Sequence, residues 1–358
     1  MTLASRRSRL RILITGGAGF IGTNLADRLA REGAEVLVFD NLSRNGVEQN
    51  YRWLKARHRG RVSLLQGDVR DAAGMREAIR TADQVFHFAA QVAVTNSLSD
   101  PVEDFAVNAE GTLNVLEAIR RQSRRPFLVY TSTNKVYGGL GDIALVQTQT
   151  RHTPADPDLG QAGVAETQPL DFCSPYGCSK GAADQYVLEY ARTFGLPACV
   201  FRMSCIYGPH QHGTEDQGWV AHFLIRALEE EEITLYGDGR QVRDLLFVDD
   251  LVEAFIAASR RIGAVSGQAF NIGGGPANVF SLIEMIQLIG RIAQGAPPVA
   301  FAEARPSDQL YYVSDTRKFQ KLTGWKPRVP VKEGVAHLHA WLKANRSPRQ
   351  VERREAAG

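Results

Sequence analysis

The sequence predicts an α/β fold built on a doubly wound parallel sheet, and three observations carry that prediction. Short apolar runs of strand length alternate with segments of helical period from residue 11 to about residue 202. A glycine-rich turn stands between the first run and the first helical segment. The runs deliver Asp68, Ala89, Ala90 and Thr131–Thr133 to their carboxyl ends, where open parallel sheets bind ligands. At 358 residues the chain exceeds one ordinary core, which leaves room for a second, smaller part.

Arg11–Thr15 is the first apolar run, and Gly16-Gly17-Ala18-Gly19-Phe20-Ile21-Gly22 follows it. Glycines at 16, 19 and 22 let the backbone approach a pyrophosphate, and the helix through Leu25, Leu29 and Ala30 turns its N-terminal N–H groups toward it. Gly16, Gly19, Phe20 and Ile21 are therefore candidate cofactor contacts. Strand Glu35–Asp40 places Asp40, followed by Asn41, 24 residues after Gly16, where an acid that binds a ribose hydroxyl belongs. Strand Val62–Gln66 leads into Gly67-Asp68-Val69, with Asp68 and Val69 placed to hold an adenine, and a helix follows over Asp71–Arg80. Gln84–Phe88 ends in Ala89 and Ala90, helical period spans about Val102–Arg121, and Phe127–Thr131 leads to Thr133.

Residues 139–171 are rich in Gly, Pro, Gln and Thr and have little helical period; long segments of this kind are lids or disordered. Ser174 suits an N-cap and Pro175 a first helical position, and apolar residues from Ala183 to Phe194 then recur at helical steps. Tyr176 and Lys180 thus fall one turn apart on one face. An ammonium beside a phenol, at the positive end of a helix, lowers the phenol's pKa and equips it to accept an alcohol proton. Spacing alone fits a solvent-exposed Tyr and Lys better; the surrounding motifs shift that balance.

Strand Ala198–Arg202 runs on to Cys205, and Asp216-Gln217-Gly218-Trp219 precedes a helix to about Glu230. His210 and His212 have no third ligand nearby, so no metal is expected, and His337 and His339 fall on different helix faces as structural residues. Ile233–Tyr236, Val242–Phe247, a helix from Asp249 and Ala269–Ile272 read as a smaller carboxyl-terminal α/β domain with chain crossing back between the two.

The net charge of +3 comes partly from arginines at both ends, which read as solvated tails over 1–8 and 346–358; nothing else supports nucleic-acid binding. No apolar run is long enough to span a membrane, and Met1–Leu10 lacks the apolar core of a signal peptide. The four cysteines lack zinc-site spacing and read as reduced, so a cytoplasmic protein is expected.

Thr15–Gly22, Asp40-Asn41-Leu42, Gly67-Asp68-Val69, His87–Ala90, Asn108-x-x-Gly111-Thr112, Thr131-Ser132-Thr133 with Val136-Tyr137-Gly138, and Tyr176-x-x-x-Lys180 occur in one order over residues 9–345. This set resembles the extended short-chain dehydrogenases/reductases, specifically the nucleotide-sugar epimerases and dehydratases. The resemblance implies a Rossmann-type NAD-binding domain over mainly 9–203, interrupted by 139–171, and a nucleotide-sugar-binding domain over mainly 204–345. It implies NAD as cofactor, with Asn108, Thr131, Tyr176 and Lys180 added to the contacts above. It makes Thr133, Tyr176 and Lys180 catalytic, and Thr133, Arg243 and Arg305 substrate-binding, the arginines on the diphosphate. It also implies a homodimer formed by the Val102–Arg121 and Tyr176 helices.

Dehydratases of this group carry Thr-Asp-Glu where this chain has Thr133-Asn134-Lys135, which argues against dehydration. Thr131–Gly138, Leu170–Tyr186, Asp216–Val220, the 139–171 segment and the absence of Asn at 205 resemble the CDP-tyvelose (CDP-paratose) 2-epimerase branch. That likeness implies a CDP-sugar substrate oxidised and re-reduced at C2. A UDP-hexose 4-epimerase, or a silent dinucleotide-binding protein, stands as the alternative.

Overall fold

The computed structural model describes residues 9–295, 297–305 and 308–345; the tails expected over 1–8 and 346–358 lie outside the described residues. Seven strands form one sheet in the order Ala269–Ile272, Ala198–Met203, Phe127–Thr133, Gln84–His87, Arg11–Thr15, Glu35–Asp40, Val62–Gln66. All neighbours are parallel. Because successive side chains alternate faces, Ile12 and Ile14 enter one apolar core while Leu13 enters the other. The first core takes Leu25 and Leu29 of the helix Phe20–Arg31 and Phe255 of the helix Val248–Arg260. The second takes Val115 of the helix Gly111–Arg120 and Val187 of the helix Ser174–Phe194. Helices on both faces explain why Phe127–Thr133 is buried throughout rather than alternating.

Ala269–Ile272, read from the sequence with the smaller carboxyl-terminal part, is instead an edge strand of the large sheet, parallel to Ala198–Met203. A smaller sheet joins Val242–Phe247 to Val279–Ser281, Tyr311–Tyr312 and Cys205–Tyr207, and a further pair joins Ile233–Tyr236 to Val299–Ala302. Its own core gathers Leu224, Leu245, Met285, Ile289 and Leu338. No helix among the described residues is long and apolar enough to cross a membrane.

Two elements differ from expectation. The helix read over Val102–Arg121 is three pieces: Pro101–Phe105, a π-helical turn at Ala106–Glu110, and Gly111–Arg120. The wide turn carries Asn108, and Gly111 follows it where an added Cβ would lie 2.6 Å from the Val69 side chain. The segment 139–171, read as a lid or as disorder, instead forms a hairpin of Leu145–Gln147 with His152–Pro154 and a helix at Pro157–Ala162. It is bonded to the carboxyl-terminal part: Arg151 pairs with Glu284, and the amides of His152 and Val164 donate to Arg240 and Val313 at 3.0 and 2.7 Å. Its turn-forming composition supplies the hairpin and cap, and those bonds fix it to the outside of the site.

Candidate active site

The glycine turn builds a narrow cradle. Gly16 sits at φ +67°, and a Cβ there would come within 2.7 Å of the Ala89 amide nitrogen, so only glycine lets the two strand ends approach. Gly19 is the N-cap of the helix Phe20–Arg31 and provides no side-chain cap, which leaves the first-turn amides for a ligand. Asp40 braces this turn from the next strand: its carboxylate accepts the amides of Ala18 at 3.0 Å and Leu42 at 2.9 Å. Burial raises the Asp40 pKa, and those two amides oppose the rise. Gly16, Gly19, Phe20, Ile21, Ala90 and Thr131 line a cavity of about 360 Å³. A cleft with a bare helix N-terminus and a Cβ-free floor fits the pyrophosphate of NAD.

Other predicted cofactor residues stand around this cavity rather than on its wall. Asn41 donates to Asp68 at 3.1 Å, and Arg70 holds the Asp68 carboxyl down at about 2. Val69 is buried against Gly111. Asn108, 1% exposed, accepts from the Gln91 amide and donates to Asp104 and Ser179. It therefore braces the tyrosine helix in this structure.

Tyr176, Lys180 and Thr133 line the same cavity, and the Thr133 hydroxyl donates to Asn134 Oδ1 at 3.3 Å. The helix begins with Ser174 at φ +67°, whose hydroxyl accepts the Gly177 amide at 3.3 Å; Cys173 takes the formal cap position expected for Ser174. Electrostatics depart from the expectation. Burial pushes the Tyr176 phenol up to about 12, with Thr133 and then Arg44 countering it. Burial pushes Lys180 down to about 7, against the pull of Asp184 and Asp104. Lys180 donates to the Thr131 carbonyl at 2.7 Å and lies over the Tyr130 ring. Desolvation outweighs the neighbouring charges that the one-turn spacing suggested.

A second cavity of about 300 Å³ opens on the other side of Thr133, which lines both. Arg243 and Arg305 stand on its wall. Arg243 donates to Asp308 at 2.7 Å, while Arg305 donates to the Glu215 carbonyl, pairs with Asp216 and lies over the Tyr236 ring at 3.9 Å. Cys205 lies between the cavities and accepts the Trp219 indole N–H at 3.4 Å. Residues 139–171 line neither cavity. Among the described residues no group of three or more His, Cys, Asp or Glu could hold a metal.

Two further participants lie outside the predicted site residues. Arg44 reaches across the cofactor cavity to Gln217 at 2.7 Å and faces Asp40 and Tyr176; its position four residues after Asp40 was the available signal. Asp104, fully buried, accepts from Ser179 and Asn108 beneath the tyrosine helix. No pattern in the sequence marks it.

The family model described as NAD dependent epimerase/dehydratase matches residues 12–273. A CDP-paratose 2-epimerase of Salmonella typhi is 41% identical over 94% of this chain and 100% of its own length. A UDP-glucose 4-epimerase of Mycolicibacterium smegmatis is 32% identical over 91% of this chain and 96% of its own. The structure of Thermus thermophilus UDP-glucose 4-epimerase in complex with NAD aligns with a TM-score of 0.79 at 32% identity, covering 94% of this chain and 100% of the other.

Proposed function

We propose, from the premise that this chain belongs to the NAD dependent epimerase/dehydratase family, that it inverts C2 of a CDP-activated sugar of the CDP-paratose type. The chain is an isomerase, an epimerase with NAD as its cofactor. The observation that carries the finer reading is the junction of two cavities at Thr133, one holding Tyr176 and Lys180, the other Arg243 and Arg305.

NAD, when bound, supplies a reversible hydride acceptor; Gly16, Gly19, Phe20, Ile21 and Thr131 would hold it. Tyr176 takes the proton of the sugar 2-hydroxyl, and Thr133, on the wall of the same cavity, orients that hydroxyl. Lys180 anchors the tyrosine helix, through the Thr131 carbonyl, to the strand that ends in Thr133. Arg243 and Arg305 offer planar forks to the diphosphate while the sugar presents its other face. A homodimer belongs to the same reading. Leu98, Val102, Phe105 and Tyr186 are apolar or aromatic yet exposed on the helices Val94–Ser99, Pro101–Phe105 and Ser174–Phe194, and an isologous contact would cover them.

The test is turnover of CDP-paratose to its C2 epimer by purified enzyme, followed by proton NMR. Turnover of UDP-galactose with none of the CDP-sugar would replace this reading with the 4-epimerase. Light scattering at micromolar concentration checks the dimer.

A further inference from the structure

Lys135 stands between the two halves of the site. It is the second residue of the short helical turn Asn134–Tyr137, and its amide donates to the Thr133 hydroxyl at 3.2 Å. Its side chain turns the other way: Nζ donates to Asp308 Oδ1 at 3.2 Å, the same oxygen that receives Arg243 at 2.7 Å. One carboxylate oxygen thus holds two cations together, and Lys135 extends the arginine wall toward Thr133. Lys135 also lines both cavities, as Arg243 and Arg305 do not.

The chemistry of the sugar makes this position matter. C2 adjoins the anomeric carbon that carries the diphosphate, whereas C4 lies across the ring from it. An enzyme that brings the 2-hydroxyl to Thr133 and Tyr176 must therefore bring the sugar-linked phosphate closer to them than one that presents the 4-hydroxyl. A phosphate in that nearer position needs a cation nearer than Arg243 and Arg305. We infer that Lys135 binds the sugar-linked β-phosphate and sets the register that presents C2, rather than C4, to Tyr176. The inference rests on the 2-epimerase reading above. Asp308 holds the ammonium at the cavity wall before substrate arrives, so little side-chain freedom is lost on binding.

The experiment compares Lys135→Met and Lys135→Arg with the wild-type enzyme, using CMP and CDP as calorimetric probes and CDP-paratose as substrate. CMP lacks the phosphate that Lys135 would meet. In Lys135→Met, CDP binding should weaken by about tenfold, the scale of one charge-assisted hydrogen bond, with CMP binding within about twofold of wild type. KM for CDP-paratose should rise and kcat fall in the same variant, and Lys135→Arg should recover most of the CDP affinity. Equal weakening of CMP and CDP would overturn the assignment in favour of a structural role, as would unchanged CDP binding. Wild-type enzyme that turns over UDP-galactose but no CDP-sugar would instead remove the underlying reaction, and the inference with it.

Discussion

The ammonium of Lys180 donates to the main-chain carbonyl of Thr131 at 2.7 Å, joining the tyrosine helix to the strand that ends in Thr133. The cost of this arrangement is a buried cation, and burial holds its pKa near about 7. An unfolded lysine titrates near about 10.4. Between those values the unfolded chain binds the proton and the native one does not, so native stability rises with pH across that window. Above about 10 the sign reverses at Tyr176, since an unfolded phenol ionises there while the native one holds its proton to about 12. The nucleotide-free enzyme should therefore show a Tm that climbs from pH 7 toward 10 and then falls. Thermal melts of Lys180→Met should lack the climb; an unchanged climb would show that Lys180 is not its source.

Tyr176→Phe keeps the ring in its buried pocket and removes the proton acceptor. Turnover should fall by at least about 100-fold, the lower end for a general base, with CDP binding and NAD content preserved. Steady-state kinetics with calorimetry decides it, and near-normal turnover would exclude Tyr176 as the base.

Much of the fold was legible because buried parallel strands must be apolar and their connections must be helical. The alternation from Arg11 to Met203 follows from that rule, whereas the pairing of Ala269–Ile272 with Ala198–Met203 is a long-range contact that the rule does not fix. The site was legible where chemistry forces a residue type, as at Gly16, where a Cβ would strike Ala89. It was not legible where tertiary burial decides. Tyr176 and Lys180 are one turn apart in sequence, yet desolvation moves the phenol up and the amine down. Nor does the composition of 139–171 reveal that Arg151 meets Glu284, a contact between segments distant in sequence that turns an apparent lid into a fixed clasp.

The bridge between Arg44 and Gln217 crosses the mouth of the cofactor cavity and joins the two lobes. Asn50 adds a second tie from the same side, donating to the carbonyls of Ala18 and His210 at 3.2 and 3.1 Å. Gln217→Leu should speed loss of NAD on repeated gel filtration, measured as nucleotide released by denaturation, while leaving the unfolding temperature nearly unchanged. Equal retention in variant and wild type would mean the bridge does not close the cavity.

Asp40→Ala should act first on the glycine turn, because both carboxylate oxygens already accept main-chain amides. Loss of two charge-assisted bonds at a partly buried site should lower stability by about 2 kcal/mol, and NAD affinity should fall with it. Denaturant unfolding of the nucleotide-free protein reads the first effect and NAD titration the second. Full stability with weakened NAD binding would assign Asp40 to the ribose alone.

The fate of the C2 hydrogen separates two routes to inversion. Oxidation at C4 leaves C2 unactivated, since a C4 ketone acidifies C3 and C5. A C3 ketone would acidify C2, but a 3-deoxy sugar such as paratose has no 3-hydroxyl to oxidise. Proton exchange would also require an acid and a base on opposite ring faces. Tyr176, the one assigned proton carrier, stands with Thr133 on the wall of the cofactor cavity. Direct oxidation of C2 is therefore expected, with its hydrogen leaving and returning as hydride without meeting solvent. Epimerisation of a CDP-sugar in deuterated water, followed by mass spectrometry and NMR, should give product with no deuterium at C2. Substantial deuterium there would demand a second base. The segment 139–171 lines neither cavity, so the search would begin with Asp216 and Lys135, which line both.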